Sequence, residues 1–412
     1  MAGSANRVLV AWVVIGTIGW AGLIWIAIQL ESASADQVGF DLELLLSGAR
    51  AIAAGGSPYD AAMLSGAAPA APSLFYSYPP PVAQALAPFA GLPARLMLLV
   101  WDAMAVGGLL AVAEAMRQRF APGMGRRAVL VPVLACAPLV LPFAIGLLFG
   151  NLDVFFPLLY GTMLLAVTSS GAGARLAGGV ALLTALFKLH PASLVAWLGA
   201  RAVLDGSRRT HLLLVLIVAM AAGVLVVTTS ITLWGAQPWL EYRQVVVAGA
   251  GAEIVDRRNA GIAVQIALFV GGSEGLARAA HVVVGIVAVA VTLLAAWRHA
   301  DPLESFAWAA VASLATLPVT WYHYPSALIP VALAAVLRSD ATGSGRVTKR
   351  LVLAAGVLGG LAIAFLPLLW LAAGMVILAA RTSAGLSGLQ RASEPESEST
   401  SPEPPARGIA SA

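Results

Sequence analysis

Charged residues are scarce in this sequence. Of its 412 residues, 11% are Asp, Glu, Lys or Arg, while 60% are hydrophobic. A soluble domain carries about 25% charged residues, so this composition excludes a protein dissolved mainly in water. Cysteine is nearly absent too, since Cys136 is the only one. A single cysteine excludes both a disulfide framework and a cysteine-based metal site.

Long apolar runs take the place of the missing charge. Residues 8–30 and 212–229 are two such runs without any charged side chain. A helix needs roughly 20 apolar residues to cross a bilayer, and only helices and closed barrels satisfy their backbone in lipid. Barrel strands alternate in polarity over about 10 residues, which these runs do not do. The sequence therefore predicts an all-α polytopic membrane protein.

The apolar runs divide the chain into about twelve predicted membrane spans and two long loops. The loops cover residues 31–93 and 234–278. The spans are predicted at 8–30, 96–116, 128–148, 153–169, 176–187, 191–203, 212–232, 279–297, 303–319, 324–337, 350–366 and 368–381. Residues 391–412 are rich in Ser, Pro and Glu, a composition that cannot bury a core, so they are predicted to form a disordered cytoplasmic tail.

The basic residues indicate an orientation. Cytoplasmic loops of membrane proteins carry an excess of Lys and Arg, which places both termini inside and the two long loops outside. This distribution accounts for the net charge of +4 without any nucleic-acid partner. The predicted cytoplasmic cations are Arg117, Arg119, Arg126, Arg127, Arg175, Arg201, Arg208, Arg209, Arg298, Arg338, Arg346, Lys349, Arg350 and Arg381.

The first long loop contains an amphipathic pattern. From Leu42 to Ala53 the apolar residues recur at helical spacing, and Gly55 and Gly56 follow as a stop. The pattern predicts a helix lying on the membrane surface. Asp41 stands at its start, either as a helix N-cap or as a functional carboxylate.

Two further segments place polar residues where spans begin or end. Asn151 lies in the Gly-Asn-Leu-Asp turn, a composition that is ordinary for turns. Lys188 and His190 interrupt an apolar stretch. Lysine at membrane depth is costly and marks a functional site more often than not, although a snorkelling side chain is the alternative.

The second long loop and the segment after residue 319 add three more candidates. Arg258 and Asn259 follow Asp256, and the arginine suits either phosphate binding or a local ion pair. His323 stands within a run of aromatic residues, as a structural histidine or a ligand contact. Tyr59 and the aromatic residues at 75–78 fit the aromatic belt at the membrane interface.

Together these residues suit one kind of chemistry. A carboxylate for proton abstraction, with cations for a phosphate leaving group, is a sensible set for glycosyl transfer from a lipid phosphate. The sequence contains no DxD and no HExxH motif, so neither a metal ion nor a cofactor is predicted. A lipid or polysaccharide transporter is the alternative, and it would distribute polar residues on both sides of the membrane.

Six segments together resemble glycosyltransferase family 87, the polyprenol-phosphate-mannose-dependent α-mannosyltransferases with the GT-C fold. These segments are DLELLLSGARAIAAGGSPYD at 41–60, YPPPVAQALAPFAGLP at 78–93, GNLD at 150–153, FKLHPASLV at 187–195, RRNAGI at 257–262 and WYHYPSALIPV at 321–331. The chain departs from the family pattern at Leu45, where Tyr is common, and at Asn151 to Asp153, where Gly-Gln-x-Asn is common.

The resemblance implies an inverting enzyme of the cytoplasmic membrane with an extracytoplasmic site. It would transfer a hexose, with mannose favoured, from a polyprenyl-phosphate donor to a lipid-linked or glycan acceptor, among membrane lipids. Asp41 would be the catalytic base, with Lys188, His190 and His323 lining the cavity. We add Arg258 to these as a phosphate ligand, and Asn151, Asn259 and Tyr59 as donor or acceptor contacts.

Overall fold

The structure is a computed structural model, and it describes residues 2–33, 37–65, 76–188, 191–249, 256–341 and 345–393. These residues form helices and no β-strand. The α-helices are α1 (Ala2–Ala33), α2 (Phe40–Ala53), α3 (Ala61–Leu64), α4 (Pro80–Leu86), α5 (Ala94–Phe120), α6 (Arg126–Cys136), α7 (Leu141–Phe149), α8 (Phe156–Thr168), α9 (Ala172–Ala181), α10 (Thr184–Phe187), α11 (Ala192–Leu204), α12 (Arg209–Trp234), α13 (Gln237–Gly249), α14 (Ile262–Phe269), α15 (Glu274–Arg298), α16 (Pro302–Ala315), α17 (Ile329–Ala341), α18 (Arg346–Leu361) and α19 (Leu368–Ser393). The 3₁₀-helices are Ala87–Phe89, Ala137–Leu139, Leu152–Phe155 and Tyr324–Leu328.

Four helices within the described ranges, α1, α5, α12 and α15, are each long and apolar enough to cross a membrane. A fifth span is possible if α6 and α7, which meet at a bend of 69°, are counted together. The helices at the other predicted spans do not combine the length and apolar composition of these four, so the number twelve stays a prediction. The predicted tail from residue 391 lies almost wholly outside the described residues, and α19 continues through Ser393.

The long helices present apolar side chains outward. Only 6% of the 18-residue apolar stretch of α1, and 11% of that of α12, is buried inside the protein. Ile18 and Met220 are exposed at 67% and 70%. Exposure of such continuous apolar surfaces to water is unfavourable, whereas their contact with lipid is not. The helices therefore indicate a membrane protein, as the composition predicts.

The bend between α6 and α7 has a local cause. Pro138 and Pro142 flank Val140, whose backbone is not helical at φ −80° and ψ 89°. Proline supplies no N–H to the helix and bends or ends it. The predicted span at 128–148 is thus broken, and α7 turns into the protein interior, where Phe143 and Leu147 are buried.

Three of the predicted cytoplasmic cations, Arg119, Arg208 and Arg338, lie at one end of the helices. Arg119 and Arg208 donate to the carbonyl oxygens of Thr168 and Val167 at the C-terminus of α8. Cations at a helix C-terminus satisfy its unpaired carbonyls and its dipole. At the same end, Arg338 of α17 pairs with Asp301 at 2.6 Å. The opposite ends of α5, α8 and α17 lead to the site described below.

Helix α2 has the predicted apolar face but not the predicted surroundings. Leu42, Leu45 and Leu46 are at most 1% exposed and pack into a core cluster with Trp101 of α5. The apolar face thus lies against protein, and the expectation that it lies on the membrane is wrong. The aromatic-belt interpretation also fails for Tyr76, which is 4% exposed and packs in the same cluster.

Candidate active site

Asp41 is the second residue of α2 and not its N-cap. The N-cap is Gly39, at φ +78°, and no side chain caps the helix. The backbone N–H of Gly39 donates to the carbonyl of Leu148 at 2.8 Å, which ties the start of α2 to the end of α7. The Asp41 carboxylate accepts a hydrogen bond from Nδ2 of Asn151 at 2.7 Å. The N-cap alternative is therefore wrong, and the carboxylate points toward another segment.

Asn151 joins Asp41 to the helix that follows. It comes directly after Gly150, which ends α7 at φ +66°. Its Oδ1 accepts from the backbone N–H of Asp153 at 2.9 Å, which caps the 3₁₀-helix Leu152–Phe155. Trp101 of α5 donates to the Asn151 carbonyl at 3.2 Å. One amide side chain therefore fixes both Asp41 and the start of the 3₁₀-helix.

Asp153 is the centre of the polar cluster. Its side chain is completely buried, and its Oδ2 lies 2.9 Å from Nζ of Lys188 and 3.0 Å from Nε2 of His323. The Lys188 contact is a hydrogen bond, while the His323 contact lies outside hydrogen-bond geometry. Lys188 also donates to the hydroxyl of Tyr324 at 3.2 Å. Asp153, which was not among the predicted site residues, thus joins Lys188 and His323 through its carboxylate and Asn151, with Asp41, through its backbone N–H.

Aromatic rings surround the Lys188 ammonium group. Its Nζ lies 4.4 Å from the ring centroid of Tyr324 and 5.3 Å from that of Tyr78, distances at which a cation is attracted to a ring face. The pKa of Tyr78 is raised to about 12, chiefly by burial, with Lys188 lowering it and Asp153 and Asp41 raising it. Tyr78 is therefore a neutral hydroxyl near pH 7.

Tyr59 contacts the backbone of Tyr78. Its hydroxyl donates to the carbonyl of Tyr78 at 3.0 Å, and its ring stacks on Tyr242 of α13 at a centroid distance of 6.2 Å. Nearby, Ser57 donates to Glu241 at 2.6 Å. The two long loops therefore meet here, and Tyr59 supports Tyr78. The predicted contact of Tyr59 with substrate stays a prediction.

Arg258 lies at the rim. Its guanidinium donates to the carboxylate of Asp256, with Nη2 at 2.6 Å from Oδ2, and its side chain is 67% exposed. Its Cζ is 5.7 Å from the ring centroid of Trp321, two residues before His323. Hydrogen bonding to Arg258 lowers the pKa of Asp256. The structure therefore contains the local ion pair, and phosphate binding by Arg258 stays a prediction.

Asn259 connects the second loop to the segment before His323. It is buried, and its Oδ1 accepts from the backbone N–H groups of Gly261 at 2.8 Å and Thr320 at 2.9 Å. Its Nδ2 donates to the carbonyl of Pro318 at 2.9 Å. These contacts are to backbone, so Asn259 holds the loop in place. Its predicted contact with substrate stays a prediction.

One predicted residue of this site, His190, lies outside the described residues. Within the described ranges, no three His, Cys, Asp or Glu side chains are grouped so that they could hold a metal ion. Asp153 could have been found in the sequence only from its place after Gly-Asn-Leu at the start of a predicted span, a pattern that also describes an ordinary turn.

These features define a helical membrane protein in which Asn151, Asp153, Lys188 and His323 form a buried polar cluster at one end of the helices. The chain belongs to glycosyltransferase family 87, whose sequence model matches residues 76–320. The matched segment contains Asn151, Lys188 and Arg258 and leaves out Asp41 and His323. The membership confirms the resemblance found in the sequence and makes the protein a glycosyltransferase. No curated protein and no solved structure matches the chain.

Proposed function

We propose that this glycosyltransferase moves a hexose, with mannose favoured, from a polyprenyl phosphate to a lipid-linked or glycan acceptor at the extracytoplasmic face. The observation that carries the proposal is the contact series from Asp41 through Asn151 and Asp153 to Lys188 and His323. This series supports the proposal, because it links the Asp41 carboxylate to a buried cation and an imidazole.

In the proposed reaction, Asp41 takes the proton of an acceptor hydroxyl. The acceptor oxygen attacks the anomeric carbon of the sugar, and the bond from that carbon to the phosphate oxygen breaks. The polyprenyl phosphate leaves with the electron pair, and the anomeric configuration inverts. Charge stabilisation of a departing anion is among the largest contributions to catalysis. We assign it to Lys188, His190 and Arg258, while His323 orients the donor or acceptor.

The hydrogen bond from Asn151 gives Asp41 a defined orientation. Oδ2 of Asp41 accepts from Nδ2 of Asn151, so we assign the transferred proton to Oδ1. A base held by a neighbouring donor keeps one rotamer, and reaction rates depend on such positioning. No metal ion is required by this scheme, because the proposed cations are side chains.

The transporter alternative has less support. The buried polar cluster lies at one end of the helices, while Arg119, Arg208 and Arg338 at the other end bond to the C-terminus of α8 and to Asp301. A transporter needs its site near the bilayer midplane, with access from both sides.

A transfer assay tests the proposal. Membranes containing the protein are incubated with labelled sugars on polyprenyl phosphate and a membrane lipid extract as the acceptor source. We expect labelled product from the polyprenyl-phosphate hexose, with mannose the best sugar and an inverted anomeric linkage. Labelled nucleotide sugars serve as the control donors. Transfer from nucleotide sugars alone would reject the proposal.

A further inference from the structure

The proposed function gives no part to the carboxylate that lies between its cations. Asp153 is completely buried, and its Oδ2 is within 3.0 Å of both Lys188 and His323. A buried carboxylate is strongly disfavoured unless it is paired, and the same cations could otherwise offer all of their charge to a phosphate. Asp153 therefore reduces the positive charge available to the donor.

We propose that Asp153 is a specificity-determining residue that limits the site to phosphate esters of low charge. This inference rests on the proposed function, in which Lys188 holds the donor phosphate and His323 orients the donor or the acceptor. Lys188 carries one positive charge, which Asp153 cancels, and His323 adds at most one more. Among these three described side chains the net charge is then at most a single positive charge, which a phosphodiester-linked sugar balances.

The backbone around Asp153 keeps the carboxylate in this position. Its N–H donates to Oδ1 of Asn151 at 2.9 Å, and its carbonyl accepts from the hydroxyl of Ser326 at 3.3 Å. The residue is held on both sides within a 3₁₀-helix. Asp256 beside Arg258 differs, because that pair lies at an exposed rim where ion pairs are weak. Asp153 stays between the cations when a donor arrives.

A fixed negative charge at this depth discriminates between anions. Coulomb interactions are much stronger in a poorly solvated interior than in water, so a second phosphate group would be repelled by Asp153. Polyprenyl phosphate has one phosphate group and the smaller negative charge, whereas polyprenyl diphosphate has two phosphate groups and the larger negative charge. We therefore expect the protein to bind polyprenyl phosphate more tightly than polyprenyl diphosphate of the same chain length.

The test compares the two lipids as competitors of the labelled donor. The full-length protein in detergent is assayed as wild type and as Asp153→Asn, which keeps the size of the side chain and removes its charge. The variant should shift the ratio of the two dissociation constants toward the diphosphate by about tenfold or more. Asp301→Asn is the matched control, because it removes a carboxylate paired with Arg338 at the opposite end. It should leave the ratio unchanged.

The outcomes separate this inference from the proposed function. A wild-type protein that prefers the diphosphate overturns the inference, whether or not the Asp153 variant folds. An equal change for both lipids in Asp153→Asn also overturns it, because a purely structural role weakens both. If neither lipid competes with the donor in the wild type, the proposed function fails as well.

Discussion

Asn151 donates a hydrogen bond to Asp41 across 110 residues of sequence, at 2.7 Å. The same amide accepts from the backbone of Asp153. The side chain therefore sets the distance between the proposed base and the cluster of Lys188 and His323. Its removal should affect catalysis out of proportion to its effect on stability.

Asn151→Ala tests this relationship. Loss of the cap on the 3₁₀-helix should cost about 1 kcal/mol of stability, and loss of the hydrogen bond to Asp41 should lower kcat more than it raises the donor KM. Ser273→Ala is the matched control, because Ser273 caps α15 away from the cluster. Thermal midpoints in detergent and steady-state kinetics would be measured for both. Equal kcat values in the two variants would show that Asn151 does not position Asp41.

Gly150→Ala tests the junction that presents Asn151. Gly150 has φ +66°, and a Cβ there would lie 2.7 Å from Cβ of Leu42 and 2.9 Å from Cδ1 of Leu98. The left-handed backbone alone costs an alanine about 1–2 kcal/mol, and the contacts with α2 add to it. We expect lower stability and lower activity together, measured as a thermal midpoint and a transfer rate.

Gly55→Ala is its control. Gly55 has φ +78°, but no heavy atom lies within 4 Å of an added Cβ. Gly55→Ala should lose stability through its left-handed backbone conformation alone, without displacing α2. If both glycine variants lose the same stability and the same activity, the packing of α7 against α2 does not position the site.

The sequence could predict helices, the amphipathic face of α2 and the family, because composition and spacing carry that information. It could not predict that the face of α2 packs on α5, because amphipathic patterns do not distinguish lipid from protein. The bend at Val140 and the pairing of Asp153 with Lys188 were also missed. Both depend on how distant segments pack, and Asp153 by itself has the pattern of a turn residue.

Arg258 has two interpretations that kinetics can separate. If it binds the donor phosphate, Arg258→Gln should raise the donor KM about tenfold, as expected for one lost charge-assisted contact. Asp256→Asn should then lower the donor KM, since it releases the guanidinium from its present partner. If the ion pair is only local, neither change affects KM. The Arg258 side chain is 67% exposed and Asp256→Asn keeps the size of its side chain, so thermal midpoints should stay within a few degrees of the wild type.

The orientation can be tested with introduced cysteines. Cys136→Ala removes the single native thiol, and exposed positions at each end can then be labelled in intact cells with an impermeant maleimide. Arg258→Cys should be labelled from outside, and Arg346→Cys only after the membrane is opened. Labelling of Arg346→Cys in intact cells, with Arg258→Cys protected, would place the site on the cytoplasmic side.

Asp41→Asn is the most direct test of the catalytic assignment. The amide cannot take a proton at neutral pH, and loss of a general base lowers rates by about 10² to 10⁴-fold. Membrane abundance and the thermal midpoint should stay near the wild type, because the side chain is only partly buried and an amide can still accept from Asn151. Glu43→Gln is the matched control. Glu43 lies two residues further along α2, on a different side of the helix. Its side chain is 47% exposed and pairs with Arg50, so the same chemical change there should leave transfer unchanged. Full activity in Asp41→Asn would move the base to another residue, whereas equal losses in both variants would indicate a general effect of α2 on the fold.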